Sequence, residues 1–204
     1  SELIDDLESM PEEEVFNLVK RRYSGLLNLQ NLLGKESIDY LPCGGIELFR
    51  NGDEELFDQC LSKLDYLNNQ LEKTLGFRPY SKMNVLPCFE GRSKFIGGIF
   101  NSHEGSINSG KMMRALIAQA QTFGVRFING LNILNVTQKI NSVTVDWEGY
   151  TNEVERVFVC VNGFARTLMP ELDVRPARNQ VVVTSELTTP IPAGTFHVDK
   201  GYIY

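Results

Sequence analysis

The fold assignment starts from the stretch VFVCVNGFA, which occupies residues 157–165. Its first five residues are apolar on both faces of an extended chain, which is typical of a strand buried from both sides. The residues that follow, Asn162, Gly163 and Ala165, are small enough to let a ligand or another backbone approach closely. The stretch therefore predicts a buried strand, placed over residues 154–161, that ends in a small-residue turn beside a binding site.

Three helices are predicted before this strand from the helical spacing of apolar residues, over residues 11–33, 54–75 and 109–123. Asp53 offers an N-cap to the second helix, and Gly76 lies just beyond its end. The methionines of the third helix are expected to pack in the core.

The remaining apolar runs are short and read as strands. Residues 38–41 and 46–49 are expected to form a hairpin. The other predicted strands cover residues 83–87, 95–100, 126–128, 133–137, 142–147, 180–187, 196–198 and 202–204. Because helices and strands are mixed rather than strictly alternating, we expect an α+β fold with mixed sheets, packed helices and two interleaved lobes.

Composition and charge exclude several classes of protein. The chain of 204 residues is 42% hydrophobic and 23% charged, as in ordinary globular proteins. No apolar run is long enough to cross a bilayer, and the first residues lack the pattern of a secretory signal. Seven acidic residues and no basic one fall within residues 1–14, which we expect to be a solvated segment. Basic residues form no stripe, so no nucleic-acid partner is expected.

The cysteines and histidines give no sign of a metal site. The four cysteines form no CxxC pair: Cys43, Cys60, Cys88 and Cys160. With only His103 and His197 beside them, a zinc site is not expected. We expect reduced thiols in a cytoplasmic protein, with Cys60 and Cys160 acting as small buried hydrophobes.

Common catalytic signatures are absent from the sequence. It contains no G-x-S-x-G, H-E-x-x-H, Walker A or G-x-G-x-x-G motif. The pairs Gly44-Gly45 and Gly97-Gly98 are too short to hold a phosphate alone and are interpreted as turn or strand glycines.

Several motifs nevertheless resemble a known family. The runs GIFNSHEGSIN at residues 98–108 and GVRFING at residues 124–130 flank the third predicted helix, and VRPARNQV at residues 174–181 follows VFVCVNGFA. With YLPCGGIELF at residues 40–49, this order resembles the FAD-dependent oxidoreductases that include D-amino-acid oxidase, glycine oxidase and sarcosine oxidase (the DAO family). The resemblance covers nearly the whole chain. Asn162 stands where the family usually has Ala, and Asn179 where it usually has Gly.

The resemblance implies a division of the chain and a cofactor. Residues 1–104 would be the first part of the substrate lobe with its helices, residues 105–173 part of the FAD domain, and residues 174–204 further substrate-lobe strands. The family's N-terminal dinucleotide-binding βαβ unit and its C-terminal glycine-rich segment do not occur in this sequence. The implied interpretation is an internal fragment of a flavoprotein that is inactive and does not retain FAD on its own.

The resemblance also implies roles for particular residues. Ile133 would contact the adenine side of FAD through its backbone, although a core strand residue is the alternative. Asn162 and Gly163 would lie near the nucleotide portion of FAD. No catalytic residue is assigned.

The implied reaction is oxidation of a C–N bond next to a carboxylate, with the flavin accepting the hydride. A cation or a phenol would hold the substrate carboxylate. The candidates are His103, Tyr202 and Tyr204, expected in strands of the substrate lobe, with purely structural roles as the alternative.

Two other functions stay open. The chain would be a non-catalytic ligand-binding or interaction domain if the fold persisted without chemistry. An enzyme with a different cofactor is the third possibility, although the missing phosphate loop argues against NAD. The sequence does not decide between an amine and an amino acid as substrate, between oxygen and an electron-transfer chain as acceptor, or between a monomer and an oligomer.

Overall fold

The computed structural model describes residues 2–84, 95–178, 180–183, 185, 188, 191, 193–198 and 201–203. The chain divides into two compact units. Unit 1 comprises Ser1–Gly124 and Thr188–Tyr204, and unit 2 comprises Val125–Leu187. The described residues form two sheets and five α-helices, which confirms the predicted α+β class.

Four helices belong to unit 1: α1 at Glu2–Ser9, α2 at Glu12–Leu33, α3 at Glu54–Leu75 and α4 at Ser109–Thr122. The last three confirm the predicted helices. None of the described helices combines the length and the apolarity that crossing a bilayer requires.

Two details at the helix ends correct or refine the predictions. The acidic opening was expected to be a solvated segment, but it contains α1, whose Ile4 is buried. Asp53 does precede α3, yet its carboxylate accepts a hydrogen bond from the Arg50 N–H (2.9 Å) instead of capping the helix. Gly76 ends α3 with a φ of 87°, a left-handed conformation that glycine adopts without a Cβ clash.

The strands follow in chain order: β1 Gly45–Arg50, β2 Tyr80–Met83, β3 Phe95–Asn101, β4 Ile133–Gln138, β5 Val143–Trp147, β6 Tyr150–Val154, β7 Thr195–Val198 and β8 Gly201–Ile203. Unit 1 contains the five-stranded sheet, in the order β2-β3-β1-β7-β8. Strand β1 is antiparallel to β3 and parallel to β7. The predicted extended ends of the chain pair with each other as β7 and β8.

The predicted hairpin of residues 38–41 and 46–49 is wrong. Both edges of β1 are occupied, by β3 and β7, so no place remains for a hairpin partner. Ile38 instead ends a short 3-10 turn and is fully buried there, and Leu41 bridges to Ser106. The strand predicted at residues 83–87 begins earlier, as β2, and residues 85–87 lie outside the described part.

Unit 1 is built around two apolar clusters. One joins Phe49 of β1 to Phe57, Cys60 and Leu71 of α3, which confirms that Cys60 is a buried hydrophobe. The other consists of every second residue along β1 and β7, which lie on one face of the sheet: Ile46, Leu48, Phe196 and Val198. Because successive side chains of a strand point to opposite faces, the sheet contributes to a separate cluster on each side.

Helix α4 departs from the expectation of core packing. None of its residues is buried, and Met113 is 51% exposed. Among the described elements, α4 contacts α2 and the 3-10 turn ending at Ile38, and its Met113 and Ile117 remain exposed.

Unit 2 contains the antiparallel sheet β4-β5-β6. Val143 and Thr144 at the start of β5 are its buried residues within the described part. After β6 the chain forms a 3-10 turn at Asn162–Phe164 and the short helix α5 at Ala165–Leu168. The strand predicted at residues 126–128 is wrong, since these residues are coil.

The buried strand predicted over residues 154–161 is also wrong. Strand β6 ends at Val154, and residues 155–161 form no strand. Phe158 is 85% exposed and Cys160 is exposed as well, so Cys160 is not the buried hydrophobe that was expected. A strand is buried on both faces only when it lies inside a sheet that other elements cover on both sides, and residues 155–161 join neither of the described sheets.

The long strand predicted over residues 180–187 is also absent from the residues of this range that the structure describes, which are coil. Val181, Val182 and Val183 are 78%, 88% and 87% exposed. Residues 184, 186 and 187 lie outside the described part.

Candidate functional site

Unit 1 contains a cavity of about 430 Å³. Residues of α1, α2 and α3 line it together with residues of the five-stranded sheet and of the turn after β3. Its volume lies within the range of roughly 300–1,000 Å³ that is usual for small-molecule sites.

The register of the sheet brings polar residues to the cavity. Glu47 of β1 stands directly opposite His197 of β7, and both line the cavity. Residues opposite each other on paired strands share a face. In β8, the backbone of Tyr202 stands opposite His197.

An ion pair links the turn after β3 to strand β7. His197 Nε2 donates a hydrogen bond to Glu104 Oε1 at 3.2 Å, and the two side chains are 27% and 36% exposed. The hydrogen bond to Glu104 raises the pKa of His197, against an opposing effect of burial. The Glu104 carboxylate lies directly over Gly45, where any Cβ would overlap it. Glycine at position 45 therefore makes room for the carboxylate.

Tyr80 forms another part of the cavity wall. The side chain of the buried Asn68 makes two hydrogen bonds with the Tyr80 backbone. Asn68 Nδ2 donates to Tyr80 O (2.8 Å), and Tyr80 N–H donates to Asn68 Oδ1 (3.0 Å). Desolvation, followed by the negative charges of Glu104 and Glu47, raises the pKa of Tyr80 to about 12. The phenol therefore stays protonated.

His103 belongs to an aromatic group in the wall of the cavity. Its ring stacks on Phe77 with 3.6 Å between centroids, and Tyr23 meets Phe77 edge-on at 5.1 Å. Desolvation lowers the pKa of His103, which favours the neutral ring. His103 was expected in a strand, but it lies in the turn immediately after β3.

The structure places one residue of the predicted substrate-binding set, His103, at the cavity. Tyr202 belongs to the strand paired with His197. Tyr204 lies outside the described residues. Substrate contact by these three residues stays a prediction.

The predicted cofactor-binding residues all belong to unit 2. Ile133 begins β4, is half-buried, and stands opposite Trp147. Asn162 has a left-handed φ of 48° and is exposed. A Cβ on Gly163 would lie 3.0 Å from the Cβ of Pro176, so the close approach there is made by another segment of the chain.

This arrangement does not fit a complete FAD site. Pyrophosphate binding needs a glycine-rich loop at a helix N-terminus, and the sequence has no such fingerprint. The contact between Gly163 and Pro176 explains the glycine without a ligand. Contact of Ile133, Asn162 and Gly163 with FAD stays a prediction.

The sequence analysis missed four residues of the cavity: Glu47, Tyr80, Glu104 and His197. Two of them carried a signal, because Glu47 is the charged residue of the apolar run GIELF and Glu104 lies inside the motif at residues 98–108. Nothing local in the sequence pairs Glu104 with His197, which is 93 residues away.

A mixed sheet covered by helices, with a cavity lined by both polar and apolar side chains, is typical of an α+β protein that binds small molecules. The sequence profile described as "FAD dependent oxidoreductase", the DAO family, matches residues 3–204. The chain belongs to this family of FAD-dependent oxidoreductases, as its motifs predicted.

Several solved structures have a fold similar to that of this chain. Glycine oxidase from Geobacillus kaustophilus matches 92% of this chain with a TM-score of 0.62 at 15% sequence identity. Glycine oxidase from Bacillus cereus ATCC 14579 matches 78% with a TM-score of 0.56 at 16% identity. L-Amino acid deaminase from Proteus myxofaciens matches 89% with a TM-score of 0.57 at 13% identity. At these identities the likeness is one of fold alone.

The chain spans only part of these structures. The matches cover 51% and 43% of the two glycine oxidases and 41% of the deaminase. No curated protein matches the sequence.

Proposed function

We propose that this chain supplies the substrate lobe and part of the cofactor domain of an FAD-dependent enzyme that oxidises the C–N bond of an amine or amino acid. The observation that carries the proposal is the family match over residues 3–204. The cavity of unit 1, whose polar lining includes Glu47, Tyr80, Glu104 and His197, is the candidate substrate site.

The residues divide into two groups of roles. In unit 1, His103 and the strand that carries Tyr202, with Tyr204 beyond it, would orient the substrate. In unit 2, Ile133, Asn162 and Gly163 would touch the nucleotide part of FAD. The bound flavin would supply the hydride acceptor.

The 204 residues alone are proposed to be inactive. They lack the glycine fingerprint that holds the pyrophosphate, so FAD would not be retained. The purified chain would then be colourless after incubation with FAD and removal of the unbound FAD. The free thiols of Cys43, Cys60 and Cys160 suit a reducing compartment, and we place the protein in the cytoplasm. Cell fractionation tests the location.

The enzymatic proposal is tested in a protein that contains these residues together with a dinucleotide-binding unit. We expect a flavin spectrum that bleaches anaerobically on addition of at least one member of a panel of primary amines, secondary amines and amino acids. A flavin that no member of the panel reduces would contradict the proposal.

A non-catalytic ligand-binding domain is the second candidate. It is favoured by the structural explanation of Gly163, which needs no cofactor, and by a cavity that lies within unit 1. A longer protein that binds small molecules in unit 1 and acquires no flavin would support this alternative.

A further inference from the structure

Two helices give the unit 1 cavity an apolar side. The apolar lining residues recur at helical spacing, with Val19 and Leu26 on α2 and Leu64, Leu71 and Leu75 on α3. Residues at this spacing lie on one face of a helix. Each of the two helices therefore turns an apolar face toward the cavity.

Two of these leucines are not used by the packing of the core. Leu26 and Leu64 line the cavity and are half-buried, and they belong to neither of the two apolar clusters of unit 1. Leu71, by contrast, is buried within the first cluster. An apolar side chain that is still partly in contact with water gains free energy when an apolar ligand covers it. Leu26 and Leu64 therefore mark the place where an apolar group would bind.

The opposite side of the cavity is the sheet, and its lining is polar. Tyr80 of β2, Asn101 at the end of β3 and His197 of β7 line it, together with Glu104 in the turn after β3. Glu104 and His197 bind each other at 3.2 Å. The two sides of the cavity thus differ in polarity, which suits a ligand with one polar end and one apolar end.

The dimensions of the cavity set a lower limit on the size of the apolar group. A cavity of about 150 Å³ is enough to hold benzene, and this one measures about 430 Å³. Its lining follows α3 from Leu64 to Leu75, which corresponds to about 16 Å along the helix axis. The apolar side therefore has room for a group of about six carbon atoms or more.

We propose that the unit 1 cavity selects substrates by a large apolar group, of about six carbon atoms or more, which lies against Leu26 and Leu64 while the polar end of the substrate faces the sheet. Small substrates leave these leucines in contact with water and bind weakly. This inference rests on the proposed function, because it names the substrate class of the same site.

The test is isothermal titration of the purified chain with neutral probes that differ only in their apolar part: 1-butanol, 1-hexanol and 1-octanol. We expect each added methylene to tighten binding about fourfold, so that 1-hexanol binds at least about tenfold more tightly than 1-butanol. The matched probe 1,6-hexanediol has the length of 1-hexanol but places a second hydroxyl against the leucines, where it lacks a hydrogen-bond partner. It should bind at least about tenfold more weakly than 1-hexanol.

Two variants of α3 test the position of the apolar group. Leu64→Gln puts an amide into the apolar side and should weaken 1-hexanol binding about tenfold. Leu56→Gln makes the same change at an exposed position of the same helix outside the lining and should bind like the unmodified chain. Circular dichroism establishes that both variants are folded. If Leu64→Gln does not fold, the probe series decides, since it needs no variant.

Amide chemical shifts provide a second readout on the unmodified chain. Addition of 1-hexanol should move the amide signals of Leu26 and Leu64 and leave those of unit 2 strand β5 in place. The inference is overturned if affinity does not rise along the alcohol series, if 1,6-hexanediol binds as tightly as 1-hexanol, if a folded Leu64→Gln variant binds normally, or if the shifts miss the cavity.

The outcomes separate this inference from the proposed function. If the chain binds 1-hexanol as expected but no amine or amino acid reduces the flavin of the longer protein, the enzymatic proposal alone is wrong. If the flavin is reduced as readily by methylamine as by hexylamine, and by alanine as by norleucine, the selection for a large apolar group alone is wrong.

Discussion

Replacing Gly45 with Ala tests whether the geometry around Glu104 is as described. The new methyl group would occupy the position of the Glu104 carboxylate, so the side chain must move and give up its hydrogen bond to His197. A charge-assisted hydrogen bond of a partly exposed pair contributes about 1 kcal/mol. Ala in place of Gly restricts the unfolded chain and offsets about 0.5 kcal/mol. The free energy of unfolding should therefore fall by about 0.5 kcal/mol, although Ala is the better residue on entropy alone.

Two measurements check this prediction: urea unfolding, and an NMR titration of the His197 ring. The pKa of His197 should drop from its raised value, because the bond to Glu104 is the largest cause of the shift. Gly25→Ala is the matched control, since Gly25 lies inside α2 with open space around a Cβ and should become more stable by about 1 kcal/mol. Equal or greater stability of the Gly45→Ala variant with an unchanged His197 pKa would refute the reasoning.

Three further predictions concern the walls of the cavity. Asn68→Ala should lower the free energy of unfolding by about 2 kcal/mol, because both hydrogen bonds to the Tyr80 backbone are lost at a buried position; urea unfolding measures it. The raised pKa of His197 adds stability that is fully present below the ordinary pKa of about 6.5 and is lost as pH rises through the higher folded value. His197→Gln should accordingly flatten the decline of unfolding free energy above about pH 6.5, and an unaltered profile would exclude the bond to Glu104 as its cause. Leu71→Ala, at a side chain that is 1% exposed, should cost about 3 kcal/mol in thermal or urea unfolding, and a loss below about 1 kcal/mol would mean that α3 does not pack as described.

The helices could be predicted because their signals are local. The leucines of α3 recur on one face, and Gly76 marks the end of the helix. The pairing of β1 could not be predicted in the same way. Its partners β3 and β7 are distant in sequence, and nothing in residues 45–50 specifies that both edges are occupied.

The apolar run at residues 157–161 shows what such a pattern does and does not contain. The run indicates a strand whose two faces are both buried, but it does not specify the other parts of the protein that would cover those faces. The described residues provide none, and Phe158 stays exposed. The family assignment does not depend on that strand, because the profile match extends over residues 3–204.

Only part of the candidate site could be predicted from the sequence. His103 was found because it lies inside a family-like motif, and it does line the cavity. Glu104 and His197 were missed as a pair because the fold, not their spacing, brings them together. The requirement for Gly45 likewise became visible only once Glu104 was seen to lie over it.

The most direct test of the account is a crystal structure of the chain soaked with para-bromobenzylamine, in which anomalous scattering locates the bromine. We predict a bromine peak inside the unit 1 cavity, beside the leucines of α3. A bromine peak outside unit 1, or a cavity that contains only water while the amine binds elsewhere, would contradict the claim that this cavity is the substrate site.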